Sequence, residues 1–353
     1  MTITSLQTDA IELLQQLIET PSLSRQESAT ADLIQQFLEQ KGIPHQRFQN
    51  NIVAKTTNWS DQKPVLLLNS HHDTVKPAKG WQRDPFKANL EGDQLFGLGS
   101  NDAGASLVSL IVTFCFFYEK ELPVNLVLAA TAEEEISGPN GIALVLPELG
   151  GIDAAIVGEP TQMRLAIAER GLMVVDGEAV GQSGHAARSE GINALYIAME
   201  DIRKIRDFRF EKVSDLLGPT KATVTQIQAG SQHNVVPDSC TFVIDVRTNE
   251  RYSNEEAFKL LDSLTASNLK ARSYRLNSSS IELQHPLVKS GLAMGKATYA
   301  SPTLSDQALM PFPTLKMGPG KSERSHTADE FIYLAEIKAG IEDYIQLIQN
   351  LKW

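Results

Sequence analysis

Short apolar runs that stop abruptly at an acid or a histidine set the pattern of this chain. The most informative is Val124-Asn-Leu-Val-Leu-Ala-Ala130, which leads into Thr131-Ala-Glu-Glu-Glu-Ile-Ser-Gly138. It is brief, rich in branched residues and preceded by Pro123, as expected of a buried strand in an α/β sheet. Ligands of such sheets sit beyond the carboxyl ends of the strands. A triple glutamate alone reads as a solvated loop. Three other runs change that reading. Val65-Leu-Leu-Leu-Asn-Ser70 ends in His71-His72-Asp73, Leu95-Phe-Gly-Leu-Gly-Ser-Asn101 in Asp102, and Ala154-Ala-Ile-Val-Gly158 in Glu159.

Between these runs the period is helical. Leu6, Ala10, Leu13, Leu14, Leu17 and Ile18 share one face of a helix over Ser5–Glu19, which Pro21 ends. Ser24-Arg-Gln-Glu27 has the spacing of a capping box before a second helix, Ala29–Lys41, closed by Gly42. Asp102 stands before an apolar helix over Ala103–Tyr118, where the helix dipole favours a carboxylate. After Pro160 the pattern changes to strands with one wet face: Leu172–Val180, Ala222–Gln228 and Thr241–Arg247. Helices over Asn193–Arg206 and Glu255–Leu264 separate them, and Ala271–Leu276 is a last short strand. The order β-α-β-β-α-β predicts a small two-layer unit. Two further helices, Pro286–Gly295 and Tyr333–Leu351, follow it.

The expected fold class is therefore α/β. A mixed-sheet catalytic domain is formed by residues 1–164 and 277–353, with a two-layer β-α-β-β-α-β lid domain, residues 165–276, inserted into it. A chain of 353 residues has room for both cores. Its 32 Lys and Arg against 43 Asp and Glu give a net charge of −11, which argues against nucleic acid as a partner. The longest uncharged stretch, Ala103–Tyr118, falls short of the ~18 apolar residues of a membrane span, and no signal-peptide pattern opens the chain. The two cysteines, Cys115 and Cys240, sit inside apolar patterns, as buried free thiols do, and a cytoplasmic location is expected.

His71, Asp102, Glu135, Glu159 and His326 form a mixed nitrogen and carboxylate set, suited to zinc, cobalt or manganese rather than calcium. The set exceeds what one tetrahedral ion needs. It suffices for two ions if one carboxylate bridges, a known hydrolytic arrangement. Asp73, two residues beyond His71, is placed to hold the other ring nitrogen of that histidine. Glu134 remains as general base. His72 and Glu133 are expected to face solvent or to support their neighbours, with no role of their own.

These motifs resemble the M20 family of metal-dependent amidohydrolases, and the resemblance spans essentially the whole chain. Ser70-His-His-Asp-Thr-Val75, Gly97-Leu-Gly-Ser-Asn-Asp102, Ala132-Glu-Glu-Glu-Ile136, Gly158-Glu-Pro-Thr161 and Ser325-His-Thr327 match the family's metal motifs. The resemblance implies a bridging Asp102, Glu134 as catalytic base, Asp73 as the residue orienting His71, and two divalent ions, zinc or cobalt. It implies a homodimer formed through the lid. His185, in Gly184-His185-Ala186, would reach the neighbouring subunit's site and polarise the scissile carbonyl. Asn234 and Arg247 would bind the substrate, Arg247 by its carboxylate.

Two departures alter the surroundings of Asp102. The segment reads Asp102-Ala-Gly-Ala105 where Asp-Met-Lys-Gly is common, and Leu98 stands where arginine is frequent. Ser305-Asp-Gln-Ala-Leu-Met310 and Lys316-Met-Gly-Pro-Gly320 look most like the branch acting on acylornithines. The expected substrate is a small N-acyl amino acid, first N-acetyl-L-ornithine, hydrolysed to ornithine and acetate in arginine biosynthesis. Rivals are acetyl- or succinyl-citrulline or -ornithine, a dipeptide, or an aminoacylase substrate. A metal-binding protein without catalysis would have no use for Glu134, and a two-carboxylate glycosidase would leave His71 and His326 unexplained.

Overall fold

The structure, a computed structural model, describes residues 2–188 and 190–353. The chain divides into two compact units. The larger holds the chain up to Ile167, then Ser280–Tyr299 and Ser305–Trp353. The smaller holds Ala168–Ser279 and Ala300–Leu304.

In chain order the elements before the break are α1 (Ile3–Ile18), α2 (Ser28–Gln40), β1 (His45–Phe48), β2 (Asn51–Lys55), β3 (Val65–His71), β4 (Asn89–Glu91), β5 (Gln94–Phe96), α3 (Ala105–Phe117), β6 (Asn125–Thr131), α4 (Ile142–Leu149), β7 (Ala154–Val157) and β8 (Leu165–Glu169). The smaller unit contributes β9 (Met173–Val180), β10 (Gly184–His185), α5 (Ala194–Asp207), β11 (Lys221–Ala229), β12 (Val235–Val236), β13 (Ser239–Arg247), α6 (Asn254–Leu264) and β14 (Asn268–Ala271). β15 (Ser279–Ser280), α7 (Pro286–Ala293), β16 (Thr298–Ser301), β17 (Thr314–Lys316), β18 (Phe331–Tyr333) and α8 (Leu334–Gln349) follow.

The main sheet is mixed, in the order β1-β2-β6-β3-β7-β17-β8-β15, with β16 paired to β8. Its centre, β6-β3-β7-β17, is parallel, and β2 joins it antiparallel. β3 is buried along its whole length because both faces are covered. Leu66 and Leu68 point into the core shared with α1, α3 and α8; Val65 and Leu67 point to the opposite side, against Ile142, Val145 and Leu149 of α4. The helical face expected from Leu6 to Ile18 is buried residue for residue in α1.

The smaller unit has a four-stranded sheet, β11-β13-β9-β14, with α5 and α6 supplying its core partners. This is the expected β-α-β-β-α-β order with a two-residue ribbon, β10 with β12, added.

Four local expectations need correction. Ser24 does not cap α2: the N-cap is Glu27, without a side-chain bond, and the Ser24 hydroxyl donates to Asp73 Oδ2 at 2.7 Å. The last strand of the smaller unit is Asn268–Ala271, earlier than Ala271–Leu276, since Asn268–Ala271 is what pairs with β9. Asp102 does not follow a strand of the main sheet. β5 belongs to a separate three-stranded sheet, β18-β5-β4, and Asp102 lies in a tight turn, Ser100–Gly104, ahead of α3. Finally, Ser100–Phe117 does reach 18 residues apolar enough to cross a membrane, but 89% of it is buried. The apolarity of α3 belongs to a core helix wedged between the sheet and α1 and α8.

One buried acid holds the smaller unit's α6–β14 connection. Asp201 Oδ2, on α5, accepts from Ala266 N at 3.0 Å, Ser267 N at 2.8 Å and Ser267 Oγ at 2.7 Å, while Lys204 pairs with Oδ1. Burial works against its charge, yet the Ser267 and Lys204 contacts hold its carboxyl below the ordinary 3.8. We expect Asp201→Ala to destabilise this unit by about 3 kcal/mol at pH 7, because three donors lose a charged acceptor. A carboxylate with a depressed folded pKa stabilises fully above its unfolded value and loses that contribution as pH falls through the folded one. Denaturant midpoints for wild type and variant should therefore converge as pH is lowered from 7 towards 4 and below; a constant gap would refute the assignment.

Candidate metal centre

The centre is built at the carboxyl ends of three adjacent parallel strands, β6, β3 and β7, where an α/β sheet ordinarily binds its ligand. His71 is the last residue of β3, Glu134 and Glu135 begin the turn after β6, and Glu159 follows β7 by two residues. Asp102 comes from the Ser100–Gly104 turn. Gly104 lets that turn close, since a Cβ there would lie 2.5 Å from Gly99 O and 2.6 Å from Leu14 Cδ1. His326 comes from the segment before β18, with a positive φ of 59°.

Asp102 stands between the two histidines. Its Oδ1 is 3.6 Å from His71 Nε2 and its Oδ2 is 3.5 Å from His326 Nε2. On the first side, His71 Nε2 also faces Glu159 Oε1 at 3.7 Å and Glu134 Oε2 at 3.8 Å. On the second, His326 Nε2 meets Glu135 Oε2 at 2.9 Å. One donor atom each from His71, Glu134 and Glu159 lies within 4.8 Å of the others, and the same holds for His71, Asp102 and Glu135. All five sequence-predicted donors are thus brought together, with Glu134 among them.

Asp73 fixes this arrangement from behind. Its backbone oxygen meets His71 Nδ1 at 3.0 Å and its Oδ1 lies 3.4 Å from the same nitrogen. The carboxylate also accepts from Glu134 N at 3.0 Å, Glu135 N at 3.2 Å and the Ser24 hydroxyl. His71 therefore presents Nε2 forward, and that buried atom has no hydrogen-bond partner among the described residues. An orphaned, oriented imidazole nitrogen amid carboxylate oxygens fits a transition-metal ligand.

The electrostatics agree with that fit. Burial opposes protonation of His71, but Glu134, Asp102, Asp73 and Glu159 together raise its pKa well above 6.5. Burial pushes Glu134 well above the ordinary carboxylate range, with the charges of Glu159, Asp306 and Glu135 adding to it against His71. Burial, and then Asp102, push Glu159 up to about 8 although His71 opposes them. The hydrogen bond to Glu135 raises His326 to about 9. So many acids in so little water cannot all ionise without added positive charge, which protons or multivalent cations can supply.

Three participants escaped the sequence reading. Glu330, only 2% exposed, accepts from Gly99 N at 3.1 Å, Asn101 N at 2.8 Å and Asp102 N at 2.9 Å. Burial and the charge of Asp102 raise it to about 8. Its signal was proximity, since Glu330 lies four residues beyond His326. Asp306 is buried, takes a hydrogen bond from Thr131 Oγ1 at 3.0 Å, and is pushed by burial to about 7. Ser24 holds Asp73. His72 is buried rather than wet: Nδ1 meets Thr30 Oγ1 and Nε2 meets Asn50 O, each at 2.8 Å, and burial lowers it to about 4. Glu133 is likewise buried and tied to Asn140.

His185, Asn234 and Arg247 belong to the smaller unit. His185 is exposed, and its Nδ1 accepts from Ala187 N at 3.1 Å. Asn234 is exposed and adjoins it, its backbone oxygen accepting from Ala186 N. The Arg247 fork is closed on Asp245, with Nε to Oδ1 at 2.9 Å and Nη2 to Oδ2 at 3.1 Å. β13 runs from Ser239, just after Asn234 and the ribbon, to Arg247. At ~3.3 Å per residue its ends are about 26 Å apart. Asn234 and Arg247 of one chain therefore lie towards opposite ends of β13.

The model of peptidase family M20/M25/M40 matches residues 67–350. The acetylornithine deacetylase of Proteus mirabilis is 28% identical over 377 residues, covering 96% of each chain. The succinyl-diaminopimelate desuccinylase of Dinoroseobacter shibae is 26% identical over 276 residues, covering 73% of each. Among solved structures, a dinuclear metal binding M20 peptidase from Bacillus subtilis, YXEP, superposes with a TM-score of 0.74 at 19% identity over 98% of both chains. Aminopeptidase PepT from Bacillus cereus does so with 0.78 at 16% over 98% of both. With its α/β mixed sheet and its acids gathered at three strand ends, the chain belongs to peptidase family M20/M25/M40 and is a metal-dependent hydrolase.

Proposed function

We propose that the protein hydrolyses the amide bond of an N-acyl amino acid, N-acetyl-L-ornithine first, using two divalent ions, zinc or cobalt. The observation that carries the reading is Asp102, whose two oxygens face two different histidines at 3.6 and 3.5 Å. His71, Asp102 and Glu159 would hold one ion; Asp102, Glu135 and His326 would hold the other. Bound there, the ions would polarise the scissile carbonyl and acidify the attacking water.

Glu134 is half-buried beside this set, its Oε2 3.8 Å from His71 Nε2, where a general base can reach a water held among these donors. Water attacks the carbonyl carbon while Glu134 takes its proton. Glu134 then delivers a proton to the nitrogen as the C–N bond breaks, giving the carboxylate and the free amine. Asp73 keeps both the His71 ring and the backbone of Glu134 in place through these steps.

Arg247 would bind the substrate carboxylate, which must displace Asp245 from part of the guanidinium fork. Asn234 and His185 sit together at the other end of the smaller unit's sheet from Arg247, which supports a homodimer in which His185 of the partner subunit acts on the scissile carbonyl. Acetyl over succinyl and ornithine over citrulline rest on the acetylornithine deacetylase relative and on the Ser305–Met310 and Lys316–Gly320 segments. The desuccinylase relative keeps the succinyl reading as the alternative. A cytoplasmic location is part of the same proposal.

Metal analysis of protein reconstituted with excess zinc should give two ions per chain, falling to one or none in His71→Ala and His326→Ala. A wild-type value fixed at one would end the bridging assignment. Glu134→Gln should lower kcat at least a thousandfold with metal content unchanged, whereas lost metal would make Glu134 a ligand, as its place in the cluster allows. Mixing Glu134→Gln with His185→Ala should restore one working site in each mixed dimer; silent mixed dimers would remove His185 from catalysis.

The substrate itself is tested by kcat/KM for acetylornithine, its carboxamide analogue, acetylcitrulline, succinylornithine and succinyl-diaminopimelate. Acetylornithine should lead. Arg247→Ala and removal of the substrate carboxylate should each cost ~10²-fold or more without adding, because they delete the same paired interaction. Equal discrimination against the carboxamide by wild type and Arg247→Ala would clear Arg247 of that role, and a faster succinyl substrate would move the proposal to desuccinylation.

A further inference from the structure

Beyond the donors themselves, one carboxylate is wholly committed to the backbone that carries the shared donor. Glu330 Oε1 accepts from Asn101 N at 2.8 Å and Asp102 N at 2.9 Å, and Oε2 accepts from Gly99 N at 3.1 Å. Three consecutive-turn amides pointing at one acceptor form an anion cradle of the kind that backbone nests provide. Here the anion is a side chain of the protein, delivered from a segment more than two hundred residues away in sequence.

The cradle explains how the turn keeps its form. At Asp102 the backbone is non-helical, with φ −117° and ψ 99°, so the turn cannot be held by the hydrogen bonds of α3. Within the turn Gly104 N returns to Gly99 O at 2.9 Å, and Ala105 N closes it on Ser100 O. Asn101 adds a second strut: its side chain accepts from Lys321 N at 2.9 Å and donates to Lys321 O at 3.0 Å. Both struts come from the segment Lys321–Glu330, which also carries His326. The segment has a third anchor at Asp329, whose Oδ1 accepts from Gln82 N and Arg83 N at 3.1 Å each. That anchor ties the segment down without touching the Asp102 turn.

We infer that Glu330 is the positioning residue of the metal centre: it sets the Asp102 main chain so that the two carboxylate oxygens divide between His71 and His326. It touches neither substrate nor ion and acts through Asp102 alone. The inference rests on the two-ion reading of the site. Because Asp102 serves both halves, a turn released from Glu330 lets Asp102 satisfy one half at the expense of the other. The first ion should then still bind while the second is weakened, and the weakening should exceed what loosening the Lys321–Glu330 segment elsewhere produces.

The test is titration of metal-free full-length protein with Co²⁺, read by calorimetry and by the visible absorption of the bound ion, with thermal unfolding of the metal-free forms alongside. Glu330→Gln keeps the shape and one acceptor oxygen but turns a donor towards Gly99 N. Supporting-shell changes typically cost 10- to 100-fold in metal affinity; we expect a loss of that size at the second ion in Glu330→Gln and a smaller one at the first. Glu330→Asp, which retains both oxygens, should recover part of it.

Asp329→Asn is the control for segment anchoring, and it should bind both ions within a few-fold of wild type. Equal losses in Glu330→Gln and Asp329→Asn, or losses that simply track the fall in melting temperature, would reduce Glu330 to a stabilising residue and overturn the inference. Unchanged binding in Glu330→Gln would overturn it as well. A wild type that takes up only one ion would instead bring down the two-ion reading, a failure distinguishable from the first because it appears before any variant is made.

Discussion

The carboxylate of Asp73 is the fixed point of the larger unit's functional face. It is buried, and its oxygens serve the Ser24 hydroxyl, the amides of Glu134 and Glu135, and the Nδ1 side of His71. These groups come from the loop after α1, from the turn after β6 and from the end of β3. An acid in a dry site is costly unless hydrogen bonds or a countercharge compensate it. Asp73 is compensated well enough that its carboxyl is held below the ordinary range: burial pushes it up, and His71, Ser24 and the Glu134 amide more than offset that. The strained turn of Glu133 and Ser137, both with positive φ, is therefore anchored to Asp73 at the amides of Glu134 and Glu135, while the Glu133 side chain ties it to Asn140.

The same economy of anchoring explains what could be read from the sequence. His71, Glu134, Glu135 and Glu159 were legible because β3, β6 and β7 are uninterrupted apolar runs, and a polar residue placed just after such a run is conspicuous. Asp102 was legible as a donor but not as to its setting, because β5 is only three residues long and lies in another sheet. Glu330 was legible only as a near neighbour of His326, with no sign of its role. Its partners are backbone amides, which leave no trace in residue type, and only tertiary structure brings Gly99, Asn101 and Asp102 round one carboxylate. Ser24 misled for the opposite reason. Its spacing from Glu27 satisfies a local rule, but Asp73 competes for the hydroxyl at 2.7 Å and wins.

The smaller unit shows a different limit. Its strands and helices follow the wet-and-dry alternation closely, and Ser253 and Glu256 even form the full capping box that Ser24 and Glu27 do not. What alternation cannot convey is which end of a sheet a residue occupies. Asn234 and Arg247 are thirteen positions apart in sequence, close enough to suggest a shared task, but β13 carries them to opposite ends. Arg247 also has a local partner in Asp245, two residues away on the same strand face, so the extended backbone alone aligns the guanidinium and the carboxylate.

The scattering of the donors along the chain has a consequence for assembly. His71 belongs to the first quarter of the sequence and His326 to the last tenth, with the smaller unit inserted between Glu159 and His326. During synthesis from the N-terminus, β3, β6 and β7 can pair long before the segment that bears His326 and Glu330 has left the ribosome. Until then the acids of Asp102, Glu135 and Glu159 gather without the second imidazole. Loading with metal would then be a closing event, and a cation held by Asp102, Glu135 and His326 would act as a late staple, removing loop-closure entropy from the unfolded chain as a long-range disulfide does.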